Sequence, residues 1–223
     1  MRLTELSFED WIEHVFSHEV RLHGNAWFFD ADRDWWDPAP ATAVAYLSRL
    51  FAEPEAALSW FSDEQIAGGF TYLVSTSASG DNCWICSTEV AIEERINCIQ
   101  VISALFARLF APRCTPHLSH LSDSRAGPLN MVCYMWWDEF PSIALEGDPH
   151  FGVLHETALR VMEANLKLPS IACQESSLHG LGHWQRSFNA DVERIIDEFL
   201  TGNPHIHPRL ATYARSARCG CVL

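Results

Sequence analysis

Lysine is almost missing from this chain: Lys167 stands alone beside fourteen arginines. Together the two cationic types number 15 against 29 carboxylates, a net charge of −14. Neutralising a phosphate backbone needs clustered Lys and Arg, so the expectation is no nucleic-acid partner and no anionic membrane surface. No stretch approaches the ~18 consecutive apolar residues of a membrane span. The first ten residues, Met1 to Asp10, lack the apolar core of a signal peptide. A cytoplasmic protein follows as the expectation, with its eight cysteines reduced. A phosphate-cradling glycine loop, a Gly-x-Ser-x-Gly elbow, kinase signatures and a dinucleotide fingerprint are all missing, which removes the commonest enzyme classes. Strict apolar–polar alternation is sustained nowhere, which removes half-buried strands.

What remains is apolar and helical. Hydrophobic residues make up 48%, and nine Trp with thirteen Phe supply enough buried surface to exclude a disordered chain. Ser7 followed by Asp10 caps a first helix, in which Phe8, Trp11, Ile12, Val15 and Phe16 keep 3.6-residue spacing. Pro38 and Pro40 start a second, with Val44, Leu47, Leu50 and Phe51 inward, and Pro54 a short third. Ser62 with Gln65 forms a capping box for a fourth. The longest helix is expected over 91–110, then a Pro/Ser/Gly-rich segment at 111–130 and a short Trp-bearing helix at 130–138. Helices at about 149–166, 170–185, 190–200 and 208–218 complete an all-α chain. It reads as one helical domain, 1–223, with a subdomain break at 111–130 separating an irregular part, 1–110, from helical hairpins over 131–223.

The stretch Glu175-Ser-Ser-Leu-His-Gly-Leu-Gly-His183 is distinctive. Small residues at 176, 177, 180 and 182 alternate with Leu178, Leu181 and Trp184, a pattern suited to a helix packed very closely against its neighbours. With paired helices, Pro169 at the hairpin and Leu178-His-Gly-Leu-Gly inside the second helix, the C-terminal third resembles a HEAT-type helical repeat. The whole chain also resembles an uncharacterised bacterial protein family. The HEAT resemblance implies an α-solenoid that binds protein along a curved surface.

Charge is unevenly placed. Residues 1–64 carry 13 acidic and 4 basic side chains, whereas Arg209, Arg215 and Arg218 stand without an acid in residues 201–223. An acidic first third suits a basic protein partner, because complementary potentials speed association. The aromatic–acidic segment holding Trp27, Asp30, Asp32, Asp34, Trp35, Trp36 and Asp37 supplies apolar anchors ringed by carboxylates, and is the candidate partner-binding surface. The competing reading is that its rings cover the open end of the bundle. Trp136-Trp137-Asp138-Glu139 repeats the same composition. Asp30-x-Asp32-x-Asp34 opens like a calcium loop, but Trp35 stands where the sixth position needs Gly and Ala41 where the twelfth needs Glu.

Cys114, His117 and His120 have donor types that zinc takes and form the candidate metal set. Sharing one ion with Cys83-x-x-Cys86 is disfavoured, since the helix between the two clusters would separate them by roughly 30 Å. A redox role for Cys83-x-x-Cys86 lacks the strand–turn–helix setting of such motifs. His14 with His18, and His179 with His183, each share a helical face at four-residue spacing. The general base of a His-Glu-x-x-His metalloprotease is absent, because Val15 and Gly180 occupy its position. For the second pair the flanking glycines suggest tight packing, with imidazoles bonded to backbone carbonyls. No catalytic residue is identified and no cofactor is required beyond the zinc option. The leading expectation is therefore a non-enzymatic interaction module, an acidic scaffold or immunity-type inhibitor of a basic protein partner. The alternative is a zinc-dependent enzyme or zinc-stabilised regulator using the Cys/His clusters.

Overall fold

The computed structural model describes all residues except 1, 4, 21–25, 31–33, 76–77, 140–146 and 223. The chain is all-α. Helices α1 (Phe8–Phe16), α2 (Pro40–Ala52), α3 (Pro54–Leu58) and α4 (Asp63–Val74) form the N-terminal part, and α5 (Ile92–Leu105) runs on through a π turn, Phe106–Phe110, into the short α6 (Ala111–Arg113). Then follow α7 (Pro128–Tyr134), α8 (Trp136–Glu139), α9 (Phe151–Asn165), α10 (Ile171–Trp184), α11 (Asn189–Gly202) and α12 (Pro208–Arg218). The starts expected at Ser7, Pro40, Pro54, Ser62 and Pro208 hold. Ser7 Oγ accepts from the Asp10 N–H at 3.1 Å, and Ser62 and Gln65 close the capping box in both directions. Pro40, Pro54 and Pro208 each occupy a first helical position, where a missing N–H costs nothing.

Two local features lie outside the periodic pattern. The widened π turn precedes Pro112, which has no N–H to return to the preceding turn. A two-residue parallel pairing joins β1 (Arg2–Leu3) to β2 (Trp35–Trp36), extended by the Asp37 N–H donating to the Leu3 carbonyl at 2.9 Å. Its pairs are too few for alternation to register.

One buried cluster runs from Phe8 to Ala217, with α5 packed on α2 and α9, and α4 on α7. At its centre the fully buried Trp136 meets Phe51, Phe70, Phe106 and Phe110 edge-on, at centroid distances of 5.5 to 6.0 Å. Such ring pairs each add about 0.5–1.5 kcal/mol beyond area burial. Trp136 thereby locks α8 to α2, α4 and the π turn.

Beside this core lies a buried ion pair. Arg95 donates from Nη2 to Asp148 Oδ2 at 2.6 Å and from Nε to the Ile85 carbonyl at 2.6 Å, tying α5 to the 81–86 turn and to the start of α9. Asp148 also accepts from the His150 N–H at 2.8 Å. Removing one partner strands the other charge away from water, so Arg95→Ala is expected to lower unfolding stability by about 3–5 kcal/mol in urea titration. A loss below about 1 kcal/mol would mean that water reaches the pair.

His155 is a second buried titratable group, packed against Phe151, Trp184 and Phe188. Burial holds its imidazole below the ordinary 6.5, against the opposing pull of the Phe151 carbonyl, which accepts from Nδ1 at 2.7 Å. It is neutral in the fold, so protons bind preferentially to the unfolded chain. Its contribution is complete above about pH 6.5 and is lost as pH falls below that value. His155→Phe is expected to flatten the decline of stability from about pH 6.5 to about pH 5. An unchanged slope in chemical denaturation across that range would place the titration elsewhere.

Candidate functional site

The site is built on α10, most of whose residues are buried by α7, α8, α9, α11 and α12. Two glycines set how near those neighbours come. A Cβ on Gly180 would lie 2.5 Å from Trp137 Cβ and 2.9 Å from Met162 Sδ. One on Gly182 would lie 2.6 Å from Val222 Cγ1 and 3.2 Å from the Ala217 backbone. Gly180 thus admits α8, and Gly182 admits the end of α12. The first approach brings Asp138 to α10, because Asp138 follows the two buried indoles of Trp136 and Trp137. The second helps place Tyr213.

Three donor groups converge there. His179 Nε2 lies 2.8 Å from Asp138 Oδ2, His183 Nε2 lies 3.1 Å from Asp138 Oδ1, and the two Nε2 atoms are 3.3 Å apart. Four-residue spacing on one helix supplies both imidazoles, and α8 supplies the carboxylate. His179 is fully buried, whereas the side chains of Asp138 and His183 are 20% and 43% exposed. The group opens to solvent on one side only.

Behind it lies a buried polar chain. His179 Nδ1 is 2.6 Å from the Tyr213 hydroxyl, which is 3.1 Å from the Tyr134 hydroxyl. One assignment satisfies every group: Tyr134 donates to Tyr213, Tyr213 donates to Nδ1, and the Nε2–H donates to Asp138. The His120 ring stacks on Tyr213 at 4.2 Å, and its Nδ1 lies 2.5 Å from Glu175 Oε1. Glu175 is fully buried on α10 and also accepts from the Ser119 and His120 N–H groups at 2.8 and 3.0 Å. Its carboxylate fastens the 118–121 turn to α10.

The order carboxylate, imidazole, hydroxyl in Asp138, His179 and Tyr213 is that of a nucleophilic triad. Burial first, then the negative charges of Glu175 and Asp138, pushes the Tyr213 phenol far above its ordinary value. Burial likewise raises the Tyr134 phenol. Tyr213 stays protonated and is a positioning group, not a nucleophile.

The metal set expected from sequence does not converge. Among the described residues the only cluster of three or more metal-donor side chains is Asp138, His179 and His183. His117 Nδ1 faces Asp123 at 3.6 Å, His120 faces Glu175, and Cys114 lies beside buried Cys133. The three side chains stand in one irregular segment but turn to different partners, since spacing in a loop does not fix direction. Nor do His179 and His183 bond to carbonyls as expected; that arrangement belongs to the other pair, where His18 Nε2 lies 2.8 Å from the His14 carbonyl oxygen. Burial, then Cys83, pushes the Cys86 thiol up to about 11, which leaves it a weak nucleophile.

The aromatic–acidic segment divides. Trp36 is buried against Tyr46 and Trp11, and Phe28 is buried against Tyr72, while half-buried Trp27 stacks on His18 at 3.4 Å. These rings cover the bundle end. Trp35 and Asp34 are exposed, as is Phe29, whereas Asp30 and Asp37 are half-buried and Asp32 lies outside the described residues.

Sequence reasoning missed Asp138, Tyr213, Tyr134 and Glu175 as site residues. Asp138 stood within Trp136-Trp137-Asp138-Glu139, and no local motif ties it to a histidine 41 residues away. Searches among family models, curated proteins and solved structures find no match to this chain.

Gly180→Ala is expected to lose about 1–3 kcal/mol of stability in urea titration, because the added methyl meets fixed Trp137 atoms. Gly68→Ala, in α4 with open space around it, should gain up to about 1 kcal/mol. Equal effects from the two would mean that α8 and α10 can separate freely.

Proposed function

We propose that Asp138, His179 and His183 hold one divalent transition-metal ion of the zinc kind, and that the protein is a metal-dependent enzyme of hydrolytic type. The carrying observation is the convergence of three donor groups, whose atoms approach one another at 2.8, 3.1 and 3.3 Å. Donors at 2.0–2.2 Å from one tetrahedral ion stand about 3.3 Å apart, so small adjustments would seat it. Three protein ligands leave one position for water, the pattern of catalytic zinc, whereas structural sites close with four. The partial exposure of His183 and Asp138 gives that position access to solvent.

When bound, such an ion polarises a substrate oxygen and lowers the pKa of its water. The residues supply the rest. Metal on Nε2 would require the other tautomer, in which the His179 Nδ1–H donates to the Tyr213 oxygen, so Tyr213 would hold the ring from behind with Nε2 turned toward Asp138 and His183. Trp136 and Trp137 hold Asp138 by burying the residues before it. The competing description is a metal-free hydrogen-bonded cluster of the same side chains.

Titration of chelator-treated protein with Zn2+ and Co2+ separates the two. The expected result is one equivalent bound, with the intense visible bands of tetrahedral Co2+, and loss of binding in His183→Ala and Asp138→Asn. Tyr213→Phe should weaken affinity by roughly 10–100-fold. Bound metal should also accelerate hydrolysis of a chromogenic ester or phosphodiester, and raise the unfolding temperature. Absence of a stoichiometric site, or equal binding by the His183 and Asp138 variants, overturns the metal reading. Metal uptake without hydrolysis refutes the catalytic part alone.

A second reading is a binding module for a basic protein, an acidic scaffold or immunity-type inhibitor. It is favoured by exposed Phe29 and Trp35 beside exposed Asp34. A HEAT-like hairpin array over the C-terminal third would give such a module its surface, and the packing of α9 on α10 and α11 on α12 supports it.

A further inference from the structure

Trp60, in the turn just after α3, is 91% exposed, although indoles are ordinarily largely buried. It is not isolated. It borders a groove of about 250 Å3 between α1 and α3, whose apolar wall is Phe8, Ile12, Ala57 and Phe61. The rim is acidic: among the described residues Glu9, Glu13 and Glu53 face a single cation, Arg49. Arg49 is already engaged, with Nη2 2.8 Å from Glu9 Oε1 and its guanidinium 3.8 Å over the Phe8 ring. Among the described residues the carboxylates of Glu13 and Glu53 have no ion-pair partner, and both are exposed.

We propose that this groove is a docking site for a cationic amphipathic segment of another protein. One apolar side chain of that segment would sit between Trp60 and Ile12, and flanking Arg or Lys would pair with Glu13 and Glu53. Charge complementarity commits the occupant: an acidic segment would face two uncompensated carboxylates, and a purely apolar one would leave them desolvated. An aromatic anchor beside a small pocket with a charged rim is where interface energy concentrates. A helical segment presenting one apolar position between two cations a turn apart would match this rim. A second copy of this chain is a poorer fit, since the chain carries a net charge of −14. The inference is independent of the metal reading. It shares its partner chemistry with the second reading but places the contact on α1 and α3 instead of residues 27–37.

The test uses an array of labelled 14-residue amphipathic peptides, varied in the central apolar residue, with either Arg or Glu on the flanks. Fluorescence anisotropy is read on the full chain at low and moderate salt. Members of the Arg series are expected to bind saturably and to weaken with salt, while the Glu series does not bind. Trp60→Ala and Glu13→Lys/Glu53→Lys should each weaken binding by roughly tenfold or more. His183→Ala and Trp35→Ala should leave it unchanged. All the substituted side chains of the groove are exposed, and unchanged unfolding temperatures would confirm intact folds. Equal binding of both series, no binding by any Arg member, or indifference to Trp60→Ala overturns the inference. Loss on Trp35→Ala alone moves the contact to residues 27–37. A wild-type dimer that Trp60→Ala dissociates in sedimentation assigns the groove to a second copy and overturns it as well.

Discussion

The close seating of α8 against α10 at Gly180 is the constraint on which the candidate site depends. With no side chain at 180, the backbone of α10 reaches the base of Trp137, and that contact sets the distance between the two helices. Asp138 is the next residue, so packing delivers its carboxylate to His179 and His183, where it meets both imidazoles. Trp136 fixes the other side of the same short helix within a ring of four phenylalanines. A four-residue helix has little stability alone. Here its two indoles make it one of the best-anchored elements.

Around that contact the interior polar groups are arranged in series. Glu175, one turn before His179 on α10, collects two N–H groups and an imidazole from the 118–121 turn. His120 from that turn covers the face of Tyr213, and Tyr213 reaches the buried nitrogen of His179. A fully buried carboxylate is costly unless its lone pairs are met, and here three donors meet them. The segment from Cys114 to His120, whose donor types suggest a metal site, thus acts on the candidate centre indirectly: it supports Tyr213 from behind. The exposed ends of the constellation, His183 and Asp138, face the opposite way, toward solvent.

The two surface features differ in kind from this interior. The rings of residues 27–37 are split between covering the core and facing water, and that division follows which rings reach Tyr46, Tyr72 and His18. Trp60 has no such neighbours. It stands over a groove in which, among the described residues, Glu13 and Glu53 have no ion-pair partner, in a chain almost devoid of lysine.

The sequence by itself determined the helical class and much of its punctuation, because helix starts are decided by contacts three or four residues apart. Ser7, the Ser62–Gln65 box and the prolines at 40, 54 and 208 act within a single turn, so they are readable without the fold. The tight packing of α10 was legible for a related reason: small residues at 176, 177, 180 and 182 have few other uses in a buried helix. The direction in which His179 and His183 point was not legible, since the same spacing serves carbonyl bonding in one helix and a carboxylate in another. Asp138 with His179, Tyr213 with His179 and Glu175 with His120 are separated by 41, 34 and 55 residues. Only the tertiary structure decided these meetings, because they follow from which helices the glycines of α10 allow to approach, and no local pattern records that choice.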